Sequence, residues 1–105
     1  ALRNALLGQW NWEYVSCYWE PNKALNTSSR GLILTIDPDG SLEMVFGPNV
    51  LETANWQLVA GAGGLWELET NPRVTTLYGY ILLCEDQLLF NHSYIDGCDN
   101  YFKRL

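Results

Sequence analysis

Apolar and polar residues alternate along most of the chain with the period of two that is typical of β-strands. The pattern is clearest in residues 6–20, LLGQWNWEYVSCYWE. One face of this predicted strand is largely aromatic and carries Gly8, Trp10, Trp12, Tyr14, Ser16 and Tyr18. A strand of this length is too long for a flat sheet in a small domain, so we expect it to bend near Gly8.

Seven further strands are predicted, each joined to the one before it by a turn or loop. They cover residues 30–36, 41–46, 55–60, 65–70, 74–84, 87–94 and 101–105. DPDG at 37–40 and GAGG at 61–64 predict hairpin turns, because Pro and Gly supply the backbone angles that such turns need. PNKALNTSS at 21–29 has no periodicity and indicates an open loop, and a short turn is predicted within residues 1–7.

Eight strands with one apolar face each must bury those faces together. An open sheet would leave two unpaired edges and an exposed aromatic face, whereas closure removes both. We therefore predict an all-β fold, an eight-stranded antiparallel up-and-down β-barrel that occupies residues 1–105 as a single domain. The predicted inward-facing residues are Trp10, Trp12, Tyr14, Leu32, Leu34, Met44, Phe46, Trp56, Leu58, Trp66, Leu68, Tyr80, Leu88 and Phe90, with His92 and Tyr94 near one end.

The excess of acidic over basic side chains argues against one class of binding partner, nucleic acid. Twelve acidic and six basic side chains give a net charge of -6, and no cluster of Lys or Arg is present. Nucleic acid is therefore not an expected partner, because its binding depends on cations that neutralise phosphates. The longest apolar runs are much shorter than the roughly 20 residues of a membrane-spanning helix, so we expect no membrane span.

Few residues are candidates for catalysis or for holding a cofactor. His92 is the only histidine, and no nucleophile motif surrounds it. The three cysteines do not have zinc-site spacing, and the acidic turns lack the spacing of an EF-hand. GAGG at 61–64 is followed by a strand pattern and not by a phosphate-binding helix. We expect neither an enzyme nor a cofactor or metal site.

A G-x-W motif at Gly8–Trp10, a DG turn at Asp39–Gly40 and a basic residue on the last strand, Arg104, resemble the lipocalin-like branch of the calycin superfamily. The likeness is greatest to compact domains of bacterial exported proteins and lipoproteins. It implies a barrel closed at one end, where Arg104 stacks on Trp10 in a cation–π contact. It also implies an exported location, either periplasmic, outer-membrane-anchored or extracellular, and a lipid anchor upstream of Ala1 is compatible with it. The chain is smaller than full-length lipocalins, which have longer strands and a helix against the barrel.

Three cysteines permit one disulfide and one free thiol. In a barrel of this topology Cys17 and Cys98 lie at the same end and Cys84 lies at the other, and closure makes the first and last strands neighbours. We expect a Cys17–Cys98 disulfide, worth about 4 kcal/mol on the loop-closure model, which would indicate an oxidising compartment. Three buried thiols are the alternative.

Two functions are compatible with these features. The first is a non-enzymatic binding domain that holds a small hydrophobic or amphipathic molecule in or at the mouth of the barrel. Its predicted ligand-binding residues are Trp12, Tyr14, Ser16, Trp56, Trp66, His92 and Tyr94.

The alternative is a protein–protein interaction module, such as a small calycin-type protease inhibitor or an envelope structural domain, which contacts its partner through residues 1–5 or 21–29. A lumen of a few hundred Å³ would favour the binding domain. A filled barrel with an exposed apolar patch near the loops would favour the interaction module.

Overall fold

The computed structural model describes residues 2–17, 25–26, 31–91 and 98–105. Within these ranges the chain forms one short helix, nine β-strands and two 3-10 turns. The helix and strands are α1 Leu2–Leu6, β1 Gly8–Cys17, β2 Leu25–Asn26, β3 Leu32–Ile36, β4 Ser41–Phe46, β5 Asn49–Ala60, β6 Trp66–Asn71, β7 Tyr80–Cys84, β8 Gln87–Asn91 and β9 Cys98–Arg104. The 3-10 turns are Ala62–Gly64 and Thr75–Leu77. The short turn predicted near the N-terminus is α1.

The strands form a closed barrel. From β3 to β9 each strand pairs antiparallel with the next one along the chain, and β1 pairs with both β3 and β9. This arrangement confirms the predicted eight-stranded up-and-down β-barrel. The ninth strand, β2, pairs with β1 at Tyr14 and Val15, beyond the part of β1 that β3 covers. It lies inside the predicted open loop at 21–29, and two residues are too few to give a periodic signal.

A β-bulge interrupts β1 halfway along its length. Trp12 lies opposite Phe102 of β9, but Tyr14 lies opposite Tyr101, so β1 has one extra residue, Glu13, at this point. The period of two that the sequence suggests for residues 8–18 therefore does not continue unbroken through β1.

The interior of the barrel is packed with large apolar side chains. Side chains that are at most 2% exposed include Trp10, Leu34, Ile36, Leu42, Met44, Leu88, Phe90 and Phe102. The rings of Phe90 and Phe102 meet edge to face, with centroids 5.8 Å apart, a favourable geometry for aromatic pairs.

Helix α1 closes this end of the barrel. Leu6 is fully buried, and its carbonyl accepts a hydrogen bond of 2.9 Å from Nε1 of Trp10. The guanidinium of Arg104 lies 4.1 Å from the centroid of a Trp10 ring, in the contact that the lipocalin resemblance implies. Arg104 also donates hydrogen bonds to the carbonyls of Leu7, at 3.0 Å, and Ala5. One side chain thus joins the last strand, the first strand and the helix.

A second indole lies under the same helix. Trp56 is 6% exposed, and the guanidinium of Arg3 lies 4.8 Å from its ring centroid. Nε1 of Trp56 donates to the carbonyls of Asp37 and Ser41 at 3.1 and 3.0 Å. These carbonyls belong to the first residue of the predicted DPDG turn and to the residue that follows the turn, in which Gly40 adopts a positive φ of 92°. The β3–β4 hairpin is therefore anchored to β5.

One prediction of an inward-facing side chain, Tyr80, is wrong, and two side chains predicted to face inward are more exposed than expected. Phe46 and Trp66 share the inner faces of β4 and β6 with Met44 and Leu68, but each is 44% exposed because it lies at an end of its strand. Tyr80 is only half-buried, whereas its neighbour Ile81 is 5% exposed and belongs to the core. The apolar run at 74–84 is not one strand, since the 3-10 turn and Gly79, with φ of 116°, separate its first half from β7. The alternation of faces therefore restarts at Tyr80.

Candidate functional site

The predicted ligand-binding tryptophans do not converge on one site. Trp12 packs against the core from β1, and its Nε1 donates a 3.1 Å hydrogen bond to Oδ1 of Asn100. Trp56 lies at the closed end, where its Nε1 donates to the carbonyls of Asp37 in the β3–β4 turn and of Ser41 at the start of β4. Trp66 of β6 pairs with Ala60 of β5, and Ala60 is four residues beyond Trp56 on the same strand. This offset corresponds to about 13 Å of strand.

The other four predicted ligand-binding residues cannot be placed in a site. Tyr14 and Ser16 belong to β1, opposite Tyr101 and Asp99 of β9. Their side chains are outside the described part of the structure, as are His92 and Tyr94 as whole residues.

A cavity of about 610 Å³ lies on the outer wall of the barrel, across the last three strands. We call it the β7–β9 groove. It is lined by the outward-facing side chains of Leu82, Cys84, Gln87, Leu89, Tyr101 and Lys103, with Glu13 of β1 at one side. The residues between them along the strands, Ile81, Leu88 and Phe102, are buried in the barrel core. The outward orientation of the groove residues follows from this alternation.

The strand register arranges these side chains in two parallel rows. Leu82 pairs with Leu89, and Leu89 pairs with Tyr101, so these three form an apolar row across β7, β8 and β9. A polar row runs beside it, in which Cys84 pairs with Gln87 and Gln87 pairs with Lys103. The rows lie two residues apart on each strand, about 6.6 Å. The groove therefore offers an apolar strip along one side and hydrogen-bonding groups along the other.

The apolar row is partly open to solvent. Leu82 is 44% exposed and Tyr101 is 36% exposed, while Leu89 between them is half-buried. Burial raises the pKa of the Tyr101 phenol above its usual value, and the negative charge of Asp99 adds to the increase. Tyr101 is therefore neutral at physiological pH and contributes an apolar ring with a hydroxyl group.

The sequence contained one signal for this groove. Strands β7 and β8 carry the adjacent pairs Leu82–Leu83 and Leu88–Leu89, which place a leucine on both faces of the sheet. In each pair the inward-facing leucine, Leu83 or Leu88, packs in or against the barrel core. The outward-facing leucine, Leu82 or Leu89, makes no contribution to that core. Adjacent apolar residues in an otherwise alternating strand are thus the pattern that marks an apolar outer wall.

Comparisons with known proteins identify no relative: no family model, no curated protein and no solved structure matches this chain. Among the described residues, no three His, Cys, Asp or Glu side chains are grouped so that they could hold a metal ion. The described part of the chain also contains no helix with the length and apolarity required to cross a membrane.

Proposed function

We propose that this protein is a non-enzymatic, lipocalin-like binding domain that holds a small hydrophobic or amphipathic molecule, and that the ligand lies in the β7–β9 groove. The observation that carries the proposal is the apolar row of Leu82, Leu89 and Tyr101 in a cavity of about 610 Å³. Small-molecule sites are concave, mostly apolar and roughly 300–1,000 Å³ in volume, with a few polar groups that orient the ligand.

The packing of the barrel favours the outer wall over the lumen as the binding site. Trp10, Phe90 and Phe102 fill the barrel interior at the levels that they occupy, and each is at most 1% exposed. A ligand at these levels would have to displace large rings from a close-packed core, which is costly. In the groove, by contrast, Leu82 already exposes 44% of its surface, and a ligand gains free energy by covering it.

The proposal is tested by titrating the protein with 8-anilinonaphthalene-1-sulfonate (ANS) and following its fluorescence. We expect saturable binding at one dye per chain, and Leu82→Glu should weaken it at least tenfold, since it places a charge in the apolar row. Leu51→Glu is the matched control, because Leu51 is 54% exposed on β5, outside the groove lining. Equal binding by both variants and the unmodified chain would refute the location in the groove.

A second candidate function, a protein–protein interaction module, is favoured by the tip of the β4–β5 hairpin. Phe46, Val50 and Leu51 are 44%, 55% and 54% exposed, and the first five residues of β5 are exposed on both faces of the strand. Large apolar side chains grouped on a projecting ribbon are typical of contact surfaces. In the N-terminal segment, Leu2 and Leu6 of α1 pack onto the barrel core, whereas Arg3 and Asn4 are exposed.

The interaction module is tested by assaying serine, cysteine and metalloproteases with and without the protein. Inhibition that Leu51→Lys removes and Leu82→Lys retains would support a role for the hairpin tip. If no protease is inhibited, the protease-inhibitor form of this alternative is wrong.

We propose that the protein is exported and that Cys17 and Cys98 form a disulfide, because disulfides form and persist in oxidising compartments. These two residues lie directly opposite each other on β1 and β9. Cα atoms of such pairs are about 4.5–5.5 Å apart, within the range of about 4.4–6.8 Å that a disulfide spans. Cys84 is a free, exposed cysteine.

Thiol titration of the denatured, unreduced protein tests the bond. We expect one reactive thiol per chain, assigned to Cys84 by peptide mass spectrometry. Three reactive thiols in protein purified from an oxidising compartment would disprove the disulfide.

A further inference from the structure

Lys103 is the cationic group of the β7–β9 groove. It lies in the polar row beside Gln87 on one side and Asn11 of β1 on the other. The side chain is exposed, and within the described part of the chain its ammonium group makes no hydrogen bond or ion pair. The polar row therefore contains a positive charge that no described protein group neutralises.

The acidic side chain that lines the groove is already engaged. Oε2 of Glu13 accepts a 3.0 Å hydrogen bond from the side-chain amide of Asn11. Glu13 therefore remains on the β1 side of the groove with a partner of its own. The apolar row adds no charge, because Tyr101 is protonated at neutral pH. The two carboxylates of the β7–β8 turn, Glu85 and Asp86, lie outside the groove lining, and neither forms an ion pair with the ammonium group.

The spacing of the two rows sets the shape of a fitting ligand. Lys103 is two residues from Tyr101 on β9, which places the two side chains about 6.6 Å apart on the same face. A molecule whose apolar body covers Leu82, Leu89 and Tyr101 reaches Lys103 with a polar group attached at one end. That polar group must accept hydrogen bonds, because an ammonium group only donates them.

We propose that the ligand of the groove is a monomeric amphipathic anion. Its apolar body lies along Leu82, Leu89 and Tyr101, and its carboxylate or similar anionic head is bound by the ammonium group of Lys103. This inference rests on the proposed function and adds the charge of the ligand to it. Lys103 is the residue that distinguishes an anionic ligand from a neutral or cationic one of equal apolar size.

The test compares three probes with the same twelve-carbon chain: dodecanoate, dodecanol and dodecyltrimethylammonium. Each is titrated below its aggregation limit, and binding is followed by amide chemical shifts of β7, β8 and β9. We expect dodecanoate to bind about fivefold more tightly than dodecanol, the factor that one exposed ion pair supplies. The cationic probe should bind more weakly than both.

Two substitutions should shift the affinity for dodecanoate in opposite directions. Lys103→Gln should remove the fivefold advantage, whereas Glu13→Gln should strengthen binding about twofold, because it removes a negative charge beside the head group. Arg73→Gln is the matched control: it removes the same charge from an exposed residue whose guanidinium lies 3.7 Å from the Tyr78 ring centroid, outside the groove lining. It should leave the affinity unchanged.

The outcomes separate this inference from the proposal it rests on. If all three probes bind equally well and Lys103→Gln changes nothing, the groove is a binding site but the anionic ligand is wrong. If none of the probes shifts the resonances of β7–β9, the binding site itself is wrong and the inference fails with it. Binding of dodecanoate that Lys103→Gln and Arg73→Gln weaken equally would also overturn the inference, because the effect would then be one of net charge alone.

Discussion

Arg104→Ala tests whether the closed end of the barrel depends on one side chain. Arg104 stacks 4.1 Å from the Trp10 ring centroid and donates to the carbonyls of Ala5 and Leu7. These carbonyls lie where α1 meets the start of β1. The substitution therefore removes a cation–π contact and two hydrogen bonds that fix the N-terminal segment to the last strand, without removing any apolar core residue.

The expected loss of stability follows from these three contacts. A hydrogen bond from a charged donor contributes about 1.5 kcal/mol or more, and a partly desolvated cation–π contact contributes about 1 kcal/mol. Water partly replaces the lost donors at a half-buried site, so we expect Arg104→Ala to lower the free energy of unfolding by about 3 kcal/mol. In a domain of this size that corresponds to about 15 °C in melting temperature.

The assay is urea denaturation followed by tryptophan fluorescence, at a fixed redox state of the cysteines. Lys103→Ala is the matched control, since it removes the same charge from the neighbouring position of β9, where the side chain is exposed. It should change the stability by less than about 0.5 kcal/mol. If Arg104→Ala costs no more than Lys103→Ala, the three contacts contribute nothing net and the reasoning is refuted.

A double-mutant cycle with Gly8 sharpens the test. A Cβ atom at Gly8 would lie 3.2 Å from Nη1 of Arg104, at a residue whose φ of 119° also disfavours any side chain. Gly8→Ala should therefore destabilise both the unmodified chain and Arg104→Ala, but the effect in Arg104→Ala should be smaller, because the crowding is gone and only the backbone strain remains. Purely additive effects would show that the crowding is relieved without cost.

Three further predictions concern the core, a turn and a titration. Leu34→Ala, at a fully buried position, should lower the unfolding free energy by about 2–5 kcal/mol in urea denaturation, and a smaller loss would contradict a filled interior. Gly61→Ala would place a Cβ atom 2.6 Å from Cε1 of Tyr80 and 3.2 Å from the carbonyl oxygen of Leu65, and it should cost about 1–3 kcal/mol in the same assay. Ultraviolet titration should show the raised pKa of Tyr101, and Asp99→Asn should lower it only in part, because burial is the larger cause. Since the unfolded chain then loses the Tyr101 proton first, stability should fall as the pH rises above about 10.

The barrel could be predicted because its signals are local in the sequence. Alternation within each strand assigns an inner and an outer face, and the DPDG turn at 37–40 joins β3 and β4 as predicted. The closure of the sheet followed from the number of strands and from the need to bury their apolar faces. None of these steps required knowledge of contacts between residues distant in the chain.

The errors occurred where the alternation is interrupted. The bulge at Glu13 adds a residue to β1, and the 3-10 turn Thr75–Leu77 divides an apolar run that looked like one strand. Both features leave the hydrophobic content of the segment unchanged, so a pattern of apolar and polar residues does not reveal them. Their effect is to reassign side chains such as Tyr80 from the interior to the wall.

The groove was missed for a different reason, namely that it exists only through the pairing of three strands. Leu82, Leu89 and Tyr101 become neighbours because β7, β8 and β9 pair in one particular register. The sequence instead predicts a site among the aromatic side chains of the interior, since barrels of this size hold ligands there. The two adjacent leucine pairs were the only local indication of an apolar outer wall.

Because the interior is filled and the proposed binding site lies on the outer wall, different side chains determine stability and binding. Trp10, Phe90 and Phe102 stabilise the barrel by occupying its centre, so substitutions there should impair folding and any binding together. Leu82 and Lys103 lie on the outside, where substitutions usually change stability by less than about 0.5 kcal/mol. If the groove is the binding site, binding can therefore be removed at these two positions while the melting temperature is retained. A binding site inside the barrel would not permit that separation, because the side chains that held the ligand would also be those that hold the fold.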